Sequence, residues 1–560
     1  MSAYDNQQHE GITKPTEKTH DEHVEDSIAG DLEKGKDLNS GDAKHSDLGA
    51  AWLSEYTGLR NEITDEENNA VRKRIDAFLL PMIFIVYFTQ QLDKSSLSFA
   101  SVFGLKTDAH LVGQQYSWLS SLVYFAQLVF QPLSVYALVK LPVNVWISIC
   151  FFGWGASLCI MSAFTSFAGL AVWRFVLGAF EASISPSMLV VVSMWWTRRE
   201  QPLRNNIWYS ANGMATILGS LITYGLGQAN TSLHPYQLIF LVCGLIAVVL
   251  SIPFFFLFPG HPTKARWLND HQKYVSLERI RLNNTGTQST TFKWSQVREC
   301  VLDPKTWFCV VNVFCISLVS GGITTFGPLI LQGFGLSTFD TILYNMIPGA
   351  IGIVSNILSA LAVTYTKRKF PVLLVASAFP LAAAAALFAL PRGAEHKSKL
   401  LGVYFILQVY QCISPIFFSW QFANTAGHTK KTTTTGMLFV GLSVGNIVGP
   451  QLYKSTEAPY YHTGLTGNLI VLGIMFGLII CQGLYLHMLN KRNIKRRIAS
   501  GKTGAHIDLS LENSSKWQEL RAKQRAGQVA DGQIEGDGAY NDQAFMDLTD
   551  LQNEDFIYSL

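Results

Sequence analysis

Four ionisable residues stand where charge is expensive. Asp93 and Lys94 lie within the run 77–99, and Arg174 and Glu181 within the run 168–195, two stretches that are otherwise apolar. Each is long enough to cross a bilayer. A charge at bilayer depth costs at least about 2.5–3.5 kcal/mol, so such groups face a cavity or one another and mark a pathway for an ion or polar solute. Arg keeps its proton and presents a planar fork that matches a carboxylate, which makes Arg174 the candidate anion-binding group. Lys94 offers a second anion contact, or a counter-charge for Asp93. Carboxylates can load and release a proton, so Glu181 and Asp93 are both candidates for proton coupling, and the sequence does not rank them. The competing reading is a buried ion-pair set that locks helices together.

Spacing constrains how these groups can meet. Asp93 and Lys94 are adjacent, hence about 100° apart on a helix and poorly placed to pair with each other. Arg174 and Glu181, seven apart, share a face but stand about 10.5 Å apart along the axis. Both pairs therefore need partners from other helices, which one cavity shared by the two spans would supply. The second half of the chain has no charge deep within a span and offers neutral groups instead: Tyr344, Asn345, Gln408, Gln411, Trp420, Gln421, Asn424 and Asn446. Tyr404, Gln408 and Gln411 follow i, i+4, i+7 and are expected on one helix face. Gln408, Gln411 and Asn446 are the candidates to hydrogen-bond the amide or ureido part of a substrate. Hydrogen bonding between helices is the equal alternative.

The elements that must position these residues are membrane spans. Charged residues are 15% of the 560, against about 25% in ordinary globular proteins. Only eight of the 40 carboxylates fall outside 1–75, 259–305 and 501–560. Apolar runs predict twelve helices near 77–99, 116–138, 143–165, 168–195, 206–228, 237–258, 306–331, 341–365, 370–390, 400–425, 434–454 and 464–489. The hydrophilic stretch 259–305 separates six from six, giving a tail 1–75, a half 76–258, a central loop 259–305, a half 306–490 and a tail 491–560. Lys and Arg crowd the segments on the tail side, among them Arg72, Lys73, Arg74, Arg198, Arg199, Arg204, Lys367, Arg368, Lys369, Lys430 and Lys431, which predicts both termini in the cytosol. The sequon Asn230-Thr231-Ser232 then falls on the outer side, close to the membrane.

This distribution leaves no place for a secreted disulfide scaffold, a nucleic-acid binder or a soluble enzyme. Seven of the eight Cys (Cys150, Cys159, Cys243, Cys309, Cys315, Cys412, Cys481) lie in apolar runs and read as packing residues, so neither metal nor cofactor is expected. Residues 1–50 hold twelve acids against five bases and cannot bury a core, which predicts a disordered tail. The tail from 501 reads the same way, with a short helix over Trp517–Arg525. Tail lysines are candidate sites for a ubiquitin ligase. The expected partners are a small organic anion, a proton and the lipid bilayer, with no nucleic acid, and the expected state is a monomer.

One further set of residues carries a resemblance. The run from Arg174 to Ala182 is followed by Pro186, Trp195, Trp196, Glu200-Gln201-Pro202, Arg204, Trp208-Tyr209 and Tyr224-Gly225. Elsewhere stand Gln91-Leu92-Asp93-Lys94-Ser95, Pro262-Thr263-Lys264-Ala265-Arg266, Asp303-Pro304-Lys305-Thr306-Trp307, Asn424 to Thr432, and Gly445 to Leu452. Together, over about 75–490, they resemble the fungal major facilitator proteins of the anion:cation symporter family, in its allantoate permease branch. The resemblance implies a twelve-helix major facilitator fold and proton-coupled uptake of small organic anions across the plasma membrane. It also implies functional roles for an acidic-basic dipeptide in the first span and for an Arg and a Glu seven apart in the fourth, which fall on Asp93, Lys94, Arg174 and Glu181. Two departures stand out: the family often has Arg where Lys94 stands, and the loop between the second and third spans is reduced to Leu138-Val139-Lys140-Leu141-Pro142.

The expectation is therefore an all-α membrane protein acting as a proton symporter for a small carboxylate, most plausibly allantoate, ureidosuccinate or a similar nitrogen-rich acid. The alternatives keep the fold and change the cargo to a vitamin (nicotinate, pantothenate, thiamine), a sulfur amino acid or a short peptide. A more distant alternative is a nutrient receptor signalling through its tails. Deleting residues 1–60 and 505–560 is expected to spare transport and abolish signalling.

Overall fold

A computed structural model describes residues 52, 64–197, 200–281, 293–391, 394–499, 549–553 and 556–560. The chain divides into Met1–Arg60 and Asn61–Leu560, and all that follows concerns the second unit. The expected disorder of 1–50, the expected helix Trp517–Arg525 and the basic pair Arg198-Arg199 lie outside the described residues.

The described residues are helical throughout the predicted spans. The first span is Asp65–Val102, the second Gln115–Lys140 and the third Val143–Met161. The fourth is Phe167–Glu181 continued by Ile184–Trp195, the fifth Gln201–Tyr209 continued by Ala211–Gly227, and the sixth Pro235–Leu257. In the second half the seventh span is Pro304–Gly333, the eighth Thr338–Tyr344 continued by Met346–Thr366, and the ninth Lys369–Ala389. The tenth is Lys397–Leu407 and Ile413–Ala423 joined by a 3-10 turn over Gln408–Cys412. The eleventh is His428–Gln451 and the twelfth His462–Ala499. Ten of these helices are long and apolar enough to cross a membrane. The fifth and eleventh are not among them, and the eleventh opens on the polar run Thr429 to Thr435.

Boundaries moved where local chemistry extends a helix past the apolar stretch. The first helix begins twelve residues before the predicted span, at a capping box. The Thr64 hydroxyl accepts from the Glu67 amide (3.3 Å) and the Glu67 carboxylate accepts from the Thr64 amide (3.2 Å), satisfying two otherwise orphaned donors. The central loop contains two helices, Asp270–Arg281 and Trp294–Leu302. Arg279 ties the former to the first half by two hydrogen bonds to Glu200 (2.8 and 2.9 Å), and the Lys430–Glu299 bond (2.9 Å) ties the latter to the second half.

Outward-facing apolar side chains follow helical spacing. Val129, Leu133 and Tyr136 on the second span, and Val354, Leu358, Leu361 and Tyr365 on the eighth, are each more than half exposed. Stripes of this kind belong against lipid. Inside, small residues bring helices close. Gly445 of the eleventh span faces the Phe314 carbonyl of the seventh so closely that a Cβ would lie 2.5 Å from it, and Gly441 and Gly449, one turn away on either side, meet the Val310 and Leu318 carbonyls. This four-residue spacing of glycines makes the tight seam that the Gly-rich stretch permits.

The halves meet on the side away from the tails. Tyr116 donates to the Thr325 carbonyl (2.8 Å), Ser120 bonds the Thr325 hydroxyl (2.7 Å), and Ser121 donates to the Ile447 carbonyl (2.7 Å). Lys106, in the short helix Leu105–Asp108 beyond the first span, reaches the Tyr461 hydroxyl (3.5 Å) within a cage of the Tyr116, Phe326 and Tyr461 rings. The far side of the bundle is thus drawn together. Asn230 is exposed on that same side.

One expectation about the tails is corrected. Residues 549–553 and 556–560 are packed against the tail-side end of the second half, with Thr549, Asp550 and Tyr558 buried. Composition could not reveal this, because two carboxylate-lysine contacts and a few aromatic and amide contacts suffice to hold a short polar segment. Removing 505–560 therefore also removes a packed part of the membrane domain.

Candidate functional site

The buried Asp93, Arg174 and Glu181 and the half-buried Lys94 come together between the first, second and fourth spans. Glu181 ends the first segment of the fourth span, where the helix breaks at Ala182-Ser183. Pro186 accounts for the break: it has no amide to give the Ala182 carbonyl, and its ring crowds that carbonyl. The Gln90 amide reaches the Glu181 carbonyl (3.5 Å), and the Gln127 amide donates to Glu181 Oε2 (2.9 Å). Lys94 Nζ lies 3.9 Å from the same oxygen, too long for a good hydrogen bond but close enough for electrostatic pairing. A glycine makes this approach feasible. Gly178, one turn before Glu181, packs against the Val123 backbone, and a Cβ there would overlap the Val123 carbonyl.

A narrow cavity opens beside this cluster. Lys94, Leu97, Ser98, Ser120, Val123, Tyr124, Arg174, Thr324 and Thr325 line it, so both halves contribute. Arg174 is 2% exposed, its guanidinium stands 5.6 Å from the Phe240 ring centroid, and Nε and Nη2 have no hydrogen-bond partner among the described residues. Those two nitrogens form one lateral edge of the guanidinium, the edge whose parallel N–H bonds accept a carboxylate in bidentate fashion. Leaving two buried donors unsatisfied costs about 1–3 kcal/mol each, which makes this edge the candidate contact for a bound anion.

The acids divide into two environments. Glu181 has one oxygen held by Gln127 and Lys94 and one, Oε1, without a partner. Asp93 is 2% exposed, and neither carboxylate oxygen has a hydrogen-bond partner among the described residues, although Glu181, Arg174 and Lys94 all act on it electrostatically. A carboxylate in that setting is costly as an anion, and a proton removes the charge. The arrangement can bind an anion at one face and exchange protons at another, with Lys94 between the two.

The remaining predicted contacts lie apart from this cluster, and Gln408 Nε2 is without a hydrogen-bond partner among the described residues. Gln411 donates to the Pro348 carbonyl (3.2 Å) and to Gln408 Oε1 (3.4 Å), and Asn446 donates to the Leu442 carbonyl (2.9 Å) while packing on Gly321. Gln408, Gln411 and Asn446 are not among the residues lining the cavity. The tenth span tightens into a 3-10 turn over Gln408–Cys412, where Pro415 withholds an amide from the Gln411 carbonyl, and Gln408 and Gln411 stay on one face, bonded to each other. The second half contributes Thr324 and Thr325 instead. Their signal was an adjacent polar pair within the apolar seventh span, beside Gly321-Gly322.

Below the cluster, toward the tails, a structural network stiffens the first half. Asp76 accepts from Arg204 Nη2 (2.5 Å), Arg204 Nε (3.1 Å) and Trp196 Nε1 (2.7 Å), which joins the first span to the fourth and fifth. The described residues contain no group of His, Cys, Asp and Glu able to hold a metal ion.

Comparison with known proteins agrees with this architecture. Residues 83–450 match the Major Facilitator Superfamily. An uncharacterized transporter of Schizosaccharomyces pombe is 33% identical over 88% of this chain and 88% of its own length. The allantoate permease of Saccharomyces cerevisiae is 30% identical over 78% of this chain and 82% of its own, and a thiamine pathway transporter of the same yeast is 27% identical over 87% and 86%. Among solved structures, a bacterial homologue of the human lysosomal transporter Spinster superposes with a TM-score of 0.56 at 13% identity, covering 75% of this chain and 98% of that one. With twelve helices in two halves and full-length relatives that are transporters, the chain belongs to the Major Facilitator Superfamily, in a fungal branch that includes the allantoate permease.

Proposed function

We propose that this transporter is a proton symporter that imports a small organic anion, allantoate or ureidosuccinate or a similar nitrogen-rich carboxylate, across the plasma membrane, with both termini in the cytosol. The observation that carries the reading is the unpartnered lateral edge of Arg174, which with Lys94 is among the residues lining the cavity. The similarity to an allantoate permease supports the cargo class, and the crowding of Lys and Arg on the tail side supports the orientation.

The geometry supplies a coupling route. Lys94 stands between Glu181, 3.9 Å away, and the cavity it lines. An anion held by Arg174 and Lys94 takes over that counter-charge, and Glu181 then needs a proton in place of its cation. Binding of anion and binding of proton thus favour each other, and linkage makes the effect reciprocal. Asp93, without donors of its own, is the second group able to carry the proton. Rocking of the two halves exchanges access between the far side, closed here through Tyr116, Ser120 and Ser121, and the tail side. One proton with one monovalent anion moves no net charge.

The test is uptake of labelled allantoate in cells lacking their own permease, at external pH 5 and 7.5, with and without a protonophore. Uptake at pH 5 that collapses with the protonophore is expected. A protein shown to reach the cell surface without taking up allantoate would overturn the cargo. Uptake indifferent to the protonophore would overturn the coupling.

A further inference from the structure

The end of the chain behaves as a ligand of the protein's own membrane domain. Residues 549–553 and 556–560 touch five spans and the central loop through specific bonds rather than general apolar contact. Asp550 pairs with Lys305 at the start of the seventh span and with Lys430 at the start of the eleventh (3.0 Å), and it accepts from the Ala426 amide (3.3 Å). The Ser559 carbonyl accepts from Trp420 (2.8 Å) and Asn424 (3.0 Å) of the tenth span, and the Ser559 amide donates to Asn424 Oδ1 (2.8 Å). Asn490 of the twelfth span makes a reciprocal pair with the Tyr558 backbone (2.8 and 2.9 Å), and the Lys369 amide of the ninth donates to the Leu560 carbonyl (2.8 Å). Thr549 bonds Glu299 of the central loop (2.9 Å).

The charge arithmetic of the receiving face shows why this segment can leave. Without Asp550, Lys430 keeps Asp303 (2.8 Å) and Glu299 (2.9 Å), and Lys305 keeps the Asn424 carbonyl (2.6 Å) and Asp303 (3.6 Å). Two lysines then face two carboxylates, and neither cation is stranded. Asp550 is a third carboxylate added to a balanced set, as a ligand would be. The other bonds come from the Asn424 and Asn490 side-chain amides, the Trp420 indole, the Lys369 amide and the Thr549–Glu299 pair, all near the tail-side face, where water can satisfy them when the segment departs. The closing force is the burial of Tyr558, 2% exposed, whose ring lies 5.0 Å from the Lys305 ammonium, together with cover for Trp420. Burial pushes the Asp550 carboxyl up while Lys305 and Lys430 pull it down, and the lysines prevail, so it stays ionised and docked across the neutral range.

We propose that residues 549–553 and 556–560 form a detachable clasp, an internal peptide ligand that ties the tail-side ends of the seventh, ninth, tenth, eleventh and twelfth spans into one unit and frees them when it undocks. The consequence is a peptide-binding site on the tail-side face that is occupied in cis.

The test uses the full-length chain carrying Asp550→Asn and Tyr558→Ala, titrated in detergent with a fluorescein-labelled synthetic peptide of residues 549–560. Saturable binding is expected on the double variant. Binding at least tenfold weaker is expected on the native chain, whose own tail fills the face, and equally for a peptide carrying the same two substitutions on the double variant. Equal binding of the two peptides, or no saturable binding to a variant that elutes as a single species, overturns the proposal. Should the variant not stay monodisperse, hydrogen–deuterium exchange on the native chain decides. The Tyr558 and Ser559 amides should exchange at least tenfold more slowly than in the free peptide, and free-peptide rates at both would refute docking.

Discussion

Replacing Arg174 by Lys tests the anion site most directly. The charge and much of the aliphatic stem remain, so the substitution isolates the fork. In the native protein Nε and Nη2 both lack a partner, and a bound carboxylate would satisfy both at once. An ammonium presents single diverging donors and cannot make two parallel bonds to one carboxylate. The expected loss is one charge-assisted hydrogen bond, about 1.5–3 kcal/mol. Since about 1.4 kcal/mol is a factor of ten, affinity should fall by roughly 10- to 150-fold. The Phe240 ring, 5.6 Å from the guanidinium carbon, keeps a cation opposite it in either case and limits collateral change. The assay is the concentration dependence of labelled allantoate uptake at pH 5, normalised to surface protein. A half-saturation concentration raised by at least tenfold, with substantial maximal uptake retained, is the predicted signature. An unchanged half-saturation concentration would refute the idea that the lateral edge holds the substrate, since no other role of that edge depends on substrate concentration.

Three further outcomes are expected. Glu181→Gln keeps the size and one hydrogen-bonding oxygen but cannot cycle a proton, so net uptake should be lost while exchange of labelled for unlabelled substrate continues; loss of both at normal surface expression would count against a purely coupling role. Lys430→Met leaves Lys305 alone against Asp303, Glu299 and Asp550, a loss of about 3–5 kcal/mol for breaking a buried pair, whereas Asp550→Asn leaves a balanced set. The apparent melting temperature in detergent should therefore fall much further for the former, and equal falls would contradict the charge accounting. Burial pushes the Lys106 ammonium down from 10.5 to about 8 while the far side is closed. Opening re-exposes it, so between about pH 8 and 10.5 the open form binds the extra proton, and raising pH through that window favours closure. Below about pH 8 Lys106 is charged in both forms, so Lys106→Met should leave the pH profile of uptake between 5 and 7.5 unshifted and alter it only above 8. A shift in the acid range would show that Lys106 takes part in coupling.

Much of this protein was legible along the chain because the cost of placing a charge in a membrane is a local property. Each residue meets the same solvent whatever its neighbours do, so apolar runs revealed the spans, and the exceptions Asp93, Lys94, Arg174 and Glu181 stood out individually. The spacing also foretold that these four would need partners from other helices, and Lys94 does meet Glu181 across the first and fourth spans. Partner choice was another matter. That Gln127 holds Glu181, that Arg174 keeps an open edge, and that Gln408 and Gln411 bond each other while Thr324 and Thr325 line the cavity are decided by which helices touch and at what rotation. The tenth span keeps Gln408 and Gln411 on one face, as the periodicity predicts, but helix rotation and packing leave that face outside the cavity. The tail shows the same limit from the other side. Composition predicts no core for residues 501–560, yet a single carboxylate placed between two lysines, with Tyr558 beside it, anchors residues 549–553 and 556–560 to a core that other segments built. Local solvation fixes what each stretch of this chain must do, and pairing across distant segments, which depends on three-dimensional proximity alone, decides what the site is.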